Sequence, residues 1–276
     1  MGNGPHWWQL SVPAQAPVTE HYVLVSGGAR LWCWDTGGEG EPVVLLHPGS
    51  GSGESWPYQQ PVLAKRGYRV IGYSRRGKIG STAGSQGPAT DSGDLHTLVE
   101  HLGLGSFHLL GAAAGGCVAA DYALSYGDRL LGLVIASSLV GITDTDYEEL
   151  SGRLRPKGFD DLPIEFQELG PSFRGGDPAG VARWLEIANR ADSGSGAQRR
   201  PSTANRITWS ALERLDVPTL LMTGDADLYT PPSIMRLIAA HLPGCRTAVV
   251  AESGHNPQWE QPESFNDAVL DFLCQL

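Results

Sequence analysis

Three short segments carry the side chains able to do chemistry. In "GAAAG", residues 111–115, two glycines flank three alanines between an apolar run and an apolar, helix-forming one. The spacing is that of G-x-S-x-G, in which small residues permit a strained strand-to-helix turn that lifts the central side chain above a sheet. Ala113 holds the central place, so the turn offers a methyl group where a nucleophile would stand. Far downstream, "PTLLMTGDADLYTPP" puts Asp227 just past one apolar run, and "RTAVVAESGHNPQWE" puts His255 just past the next. Nucleophile, acid, histidine is the chain order of one well-known hydrolytic triad. In that chemistry the imidazole takes a proton from the nucleophile and returns it to the leaving group, while the carboxylate orients the ring. Asp225 is the rival acid and is expected only to shape its turn.

A dinucleotide-binding reading of the glycine-rich turn fails. "GAAAGG" does not match G-x-G-x-x-G, and the strand that follows ends in "IASS" with no acidic residue for a ribose. Stabilisation of an oxyanion instead needs backbone N–H groups that can approach closely. Gly49 and Ser50, in "LLHPGSG", are candidates for the first donor, and Ala114, at a helix N-terminus, for the second. His47 opens that loop and is expected to bond loop backbone. Trp56, Trp184 and Trp259 are candidates for lining an apolar substrate pocket. Cys117 lies one helical turn beyond Ala113 and should point into helix packing. The four cysteines form no C-x-x-C pair, so neither a metal nor a redox centre is expected, and no cofactor is called for.

These residues need a sheet to position them. Apolar runs at "HYVLVSG" and "ARLWCWDTG", split by Gly27 and Gly28, predict a hairpin; "PVVLLH", "YRVIGY", "FHLLG", "LLGLVIASS", "PTLLMTG" and "RTAVVAE" predict buried strands. Helical stretches are expected at 55–65, 91–102, 115–126, 232–242 and 262–273, giving a doubly wound, mostly parallel α/β plan. Residues 139–207 interrupt the rhythm, and such a long connection predicts an inserted helical cap. Within it Asp177 is a candidate N-cap with Pro178 at the first helical position. The stretch 193–205, "SGSGAQRRPSTAN", reads as a linker or hinge. The core would comprise 1–138 and 208–276.

At 276 residues and 41% hydrophobic composition, the chain can fill a sizeable core. Thirty acidic residues against twenty basic ones, for a formal charge of −10, argue against nucleic acid or anionic membrane as partners. The first residues lack a basic stretch followed by an apolar one, and no run of about 18 apolar residues occurs. A soluble, cytoplasmic protein acting on a small molecule is expected, with homodimerisation open.

Taken together, the motifs resemble those of the α/β-hydrolase superfamily, in particular the capped esterases, lactonases and meta-cleavage-product hydrolases. "LLHPGSG" resembles the family's oxyanion loop, with Pro48 where glycine is commoner. "YSRRGKIGS" looks like its turn after the fourth strand, "GDADLYTPP" like its acid loop and "SGHNPQWEQPESFN" like its histidine loop. The resemblance spans about 21–273 and is weakest in the cap. It implies a serine hydrolase of an apolar or aromatic ester or lactone, inactivated here by a serine-to-alanine change, engineered or natural. Carbon–carbon bond hydrolysis is the alternative, although Asn256 stands where those enzymes usually carry tryptophan. A ligand-binding protein on the same fold, a lyase or cofactor-free oxygenase using His255 as base, and an aspartate nucleophile lost to alanine are the remaining readings.

Overall fold

The computed structural model describes residues 10–85, 89–192 and 200–276. Eight strands form one sheet: β1 (Thr19–Leu24), β2 (Arg30–Asp35), β3 (Pro42–Leu46), β4 (Arg69–Tyr73), β5 (Phe107–Ala112), β6 (Leu130–Ala136), β7 (Thr219–Gly224) and β8 (Arg246–Val250). Their order is β1-β2-β4-β3-β5-β6-β7-β8. β1 and β2 form the antiparallel hairpin, β2 pairs antiparallel with β4, and β3 to β8 pair in parallel.

Apolar side chains leave both faces of the central strands, as the unbroken hydrophobic runs require. Val44, Leu46, Leu109 and Leu133 meet α2 (Asp91–His101), α3 (Ala114–Tyr126) and α9 (Pro232–Ala239) on one side. Val43, Leu45, Leu110 and Val134 meet α1 (Gln60–Lys65) and α11 (Pro262–Leu273) on the other. Residues one apart thus enter opposite layers, the period of two of a strand.

The first helix is shorter than expected, covering 60–65 rather than 55–65. Residues 52–59 form turns instead: Ser55 N–H donates to Ser52 O, and Ser52 N–H to Ser55 Oγ. Pro61 lacks the N–H that a helix begun at 55 would donate to the carbonyl of residue 57.

Between β6 and β7 the chain leaves the sheet for α4 (Thr145–Leu154), α5 (Ile164–Glu168), α6 (Pro171–Gly176) and α7 (Pro178–Ala191), and α8 (Trp209–Leu212) follows on the way back. Asp177 caps α7, its Oδ1 accepting from Gly180 N–H at 2.8 Å. The hinge expected at 193–205 is contradicted in its described part, while 193–199 lie outside the described residues. Asp91 N–H donates to Ser202 O, and Ser202 N–H donates to the Asp91 carboxylate. The Ala204 and Asn205 N–H groups donate to the Asp121 carboxylate on α3 at 2.8 Å. Two buried acids pin the returning chain to the core. None of the described helices is long and apolar enough to cross a membrane.

Candidate active site

The turn between β5 and α3 places Ala113 in backbone geometry that an L-residue rarely adopts, φ 48° and ψ −111°. Such a conformation costs on the order of 1–3 kcal/mol and persists only where the surroundings impose it. Here they do. A Cβ on Gly115 would run into the Leu46 carbonyl, and one on Gly111 into the Gly115 carbonyl, so both flanking positions require glycine. Ala113 N–H donates to Ala136 O at 2.8 Å, and its carbonyl accepts from Gly116 N–H and Ser138 Oγ. Ala114 follows as the first residue of α3, and its N–H belongs to a first turn without intrahelical acceptors.

Asp227 and His255 come together from the loops after β7 and β8. His255 Nδ1 lies 2.9 Å from each carboxylate oxygen of Asp227. The carboxylate is fully enclosed and also accepts from the N–H groups of Tyr229 and Thr230 and from Thr223 Oγ1. Burial works to raise the Asp227 carboxyl, but the charge and hydrogen bond of His255 and the two N–H donors outweigh it, holding the group below its ordinary value. Burial likewise works to lower the His255 imidazole, yet Asp227, then Glu168 and Glu260, hold it above its ordinary value. The ring therefore holds a proton readily and stays oriented by its partner. Asp225 serves the neighbouring turn instead, accepting from Ser253 N–H at 3.2 Å.

The loop after β3 carries Gly49 and Ser50. His47 accepts from Arg75 N–H through Nε2 and donates from Nδ1 to Pro48 O; burial first, then the Arg75 charge, keeps its imidazole well below the ordinary value and hence neutral. Among the described residues no acceptor takes the N–H of Gly49 or of Ser50. The Ser50 hydroxyl is committed, donating to Glu168 Oε2 at 2.7 Å. Cys117 is half-buried beside Gly141, and burial pushes its thiol up to about 12, which makes it a poor nucleophile.

Of the tryptophans, Trp184 and Trp259 border a small cavity of about 10 Å³, together with Ser50, Gly51 and Asn256. That volume holds about one water molecule. Trp56 instead packs in the core layer with Leu45, Leu63 and Leu110 and does not border this cavity. A Trp preceding a Pro-rich turn gives no sign of which side it faces.

Four contributors lie outside the residues singled out from sequence. Tyr229 sets its ring centroid 4.5 Å from that of His255. Glu168, at the end of α5, takes Ser50 Oγ and Asn256 Nδ2 on its carboxylate, while its carbonyl accepts from His255 N–H at 2.8 Å. Glu260, closing α10 (Pro257–Glu260), accepts from the N–H groups of Gly254, Asn256 and Gly170. Burial pushes the Glu260 carboxyl up to about 7, the three donors notwithstanding. Lys78 donates to the carbonyl of Gly49. Only Glu260 left a trace in sequence, an acid four residues after Asn256 at a helix start.

Residues 41–262 match the family model of the alpha/beta hydrolase fold. A protein provisionally named a non-heme chloroperoxidase from Synechocystis sp. is 30% identical over 261 residues, covering 86% of this chain and 92% of its own. A 2-hydroxy-6-oxononadienedioate/2-hydroxy-6-oxononatrienedioate hydrolase from Paraburkholderia phymatum is 28% identical, covering 95% of this chain and 97% of its own. The structure of a thermophilic esterase from Thermogutta terrifontis superposes with a TM-score of 0.74 at 27% identity, over 94% of this chain and 99% of that one. With the strand order, the strained turn and the hydrogen-bonded Asp–His pair described above, the matched segment places this chain in the α/β-hydrolase fold family.

Proposed function

We propose that this site is built for acyl transfer from an uncharged ester or lactone with an apolar body, and that Ala113 occupies the place of its nucleophilic serine. Asp227 orients His255 as general base, and the N–H of Ala114 with those of the Gly49–Ser50 loop receive the developing oxyanion. An alanine methyl has no proton to give and no lone pair to attack with. The chain as it stands binds substrate and polarises its carbonyl without forming an acyl-enzyme. The observation that carries this reading is the strained backbone of Ala113, whose cost has no use for a methyl group, in a molecule that keeps the Asp227–His255 pair hydrogen-bonded.

Carbon–carbon bond hydrolysis has the support of relatives named for diacid substrates. The Glu168 carboxylate beside Ser50 disfavours it, because a substrate carboxylate brought to that loop would meet a like charge. The test is Ala113→Ser, assayed on aryl esters, lactones and vinylogous diketones. Hydrolysis of esters or lactones is expected, against a background lower by about 10⁶-fold in the present chain. Turnover of diketones alone would favour the carbon–carbon reading, and no turnover of the panel would defeat the acyl-hydrolase one.

A further inference from the structure

We propose that Lys78 is a positioning residue that clamps the oxyanion loop through the Gly49 carbonyl and makes the loop's donor geometry depend on the docked cap. The proposal rests on the acyl-hydrolase reading above.

Lys78 sits in the turn after β4, only 7% exposed. Its Nζ donates to Gly49 O at 2.7 Å and forms an ion pair with Asp192, the residue just past α7. Backbone contacts hold the lysine in place: Lys78 N–H donates to Arg75 O, Ser81 N–H to Lys78 O, and Ile79 N–H to Ala191 O at 2.8 Å. A buried ammonium is expensive unless paired and hydrogen-bonded, and these two partners meet that cost.

The consequence lies in the peptide plane. In a trans peptide the C=O and the N–H of the next residue point in opposite directions. A cation held on Gly49 O therefore fixes the direction of Ser50 N–H, which has no acceptor among the described residues. The preceding peptide is anchored in the same manner, with Pro48 O accepting from Gly51 N–H and from an Arg75 guanidinium nitrogen, which fixes the direction of Gly49 N–H. The positive charge also polarises the Gly49–Ser50 peptide and makes its N–H a stronger donor. On the far side Ser50 Oγ is held by Glu168. Both grips end on cap residues, Asp192 through Lys78 and Glu168 directly, so undocking the cap would release the loop.

The test places Lys78→Met and Lys78→Arg in the Ala113→Ser background and in the chain as it stands. In the serine background Lys78→Met should lower kcat by about tenfold or more while KM moves less than about threefold, as expected when a transition-state donor is misplaced. Lys78→Arg, which keeps the charge, should recover most of kcat. Unchanged kcat in Lys78→Met, or a loss carried by KM, would overturn the assignment. In the unmodified chain, amide NMR should show the Gly49 and Ser50 resonances displaced by Lys78→Met and unmoved by Lys65→Met, an exposed control on α1. Unmoved resonances in Lys78→Met would also overturn it. Because this readout needs no turnover, an inactive Ala113→Ser protein would count against the acyl-hydrolase reading alone. If Lys78→Met does not fold, Asp192→Asn takes its place, with a smaller displacement of the same two amides expected and no displacement counting against the clamp.

Discussion

Around Ala113 the site is held by sterics, with two glycines pressed against carbonyls and a backbone forced to φ 48°. Around His255 it is held by buried charge, with Asp227, Glu168 and Glu260 all at or below 6% exposure. On the proposed reading, the difference accounts for a first region that keeps its form without a reactive atom. Sterics there act on backbone, and a missing hydroxyl removes none of the contacts that impose the turn. The second region has no such tolerance, because each buried carboxylate is balanced by donors whose loss leaves a charge unpaired. One half of the site is robust to side-chain change and sensitive to backbone change; the other is the reverse.

Disrupting the charged half should cost most. In the Ala113→Ser background, Asp227→Asn should lower kcat by about 10⁴-fold, the loss typical of a triad acid whose histidine is left in the wrong tautomer. Asp225→Asn should do far less, since Asp225 accepts from Ser253 N–H in the neighbouring turn while His255 bonds Asp227. Steady-state kinetics on the two variants decide between the acids, and equal losses would contradict the assignment.

The next effect breaks the steric half. Gly115→Val should destabilise the chain by about 3 kcal/mol, because its branched side chain must displace the Leu46 carbonyl of a central strand. Urea unfolding measures it. An unchanged midpoint would mean that the close approach of α3 to β3 is not what holds the turn.

These two regions are also unequally legible in the sequence. The strands and the places of Ala113, Asp227 and His255 relative to them follow from apolar runs and from motifs that sit at strand ends, where local sequence decides position. Glu168 and Lys78 are not legible. Glu168 meets Ser50 and His255, and Lys78 meets Asp192, only when residues 139–192 fold back onto the loops after β3, β4 and β8, and no local pattern in "LPIEFQEL" or "RRGKIGS" states where that segment lands. The expected hinge fails for a related reason: "PSTAN" has linker composition, but Asp91 and Asp121, over eighty residues earlier, supply the acceptors that fix it.

Removing one charge near His255 should have a milder effect. Glu168 helps hold the His255 imidazole above its ordinary value, so Glu168→Gln should lower it. Followed by NMR in the unmodified chain, the histidine titration should move to lower pH. In the serine background the acid limb of kcat/KM should move the same way, since the base must be neutral to act. A shift to higher pH would contradict the placement of that charge. The sign also fixes the stability window of the pair. Raised His255 contributes stability at low pH and loses it as pH rises through its folded value, whereas depressed Asp227 contributes above the ordinary carboxyl range and loses it as pH falls through its folded value. The ion pair is therefore worth most between those two limits.

On the acyl-hydrolase reading, Ala113 stands where a nucleophile belongs. The most direct measurement treats folded Ala113→Ser with a serine-directed phosphonate and weighs the intact protein. One adduct at position 113 is predicted, absent from the unmodified chain and lost again when His255→Ala is added. A folded Ala113→Ser protein that takes up no adduct, or an unmodified chain that takes up the same one, would contradict it.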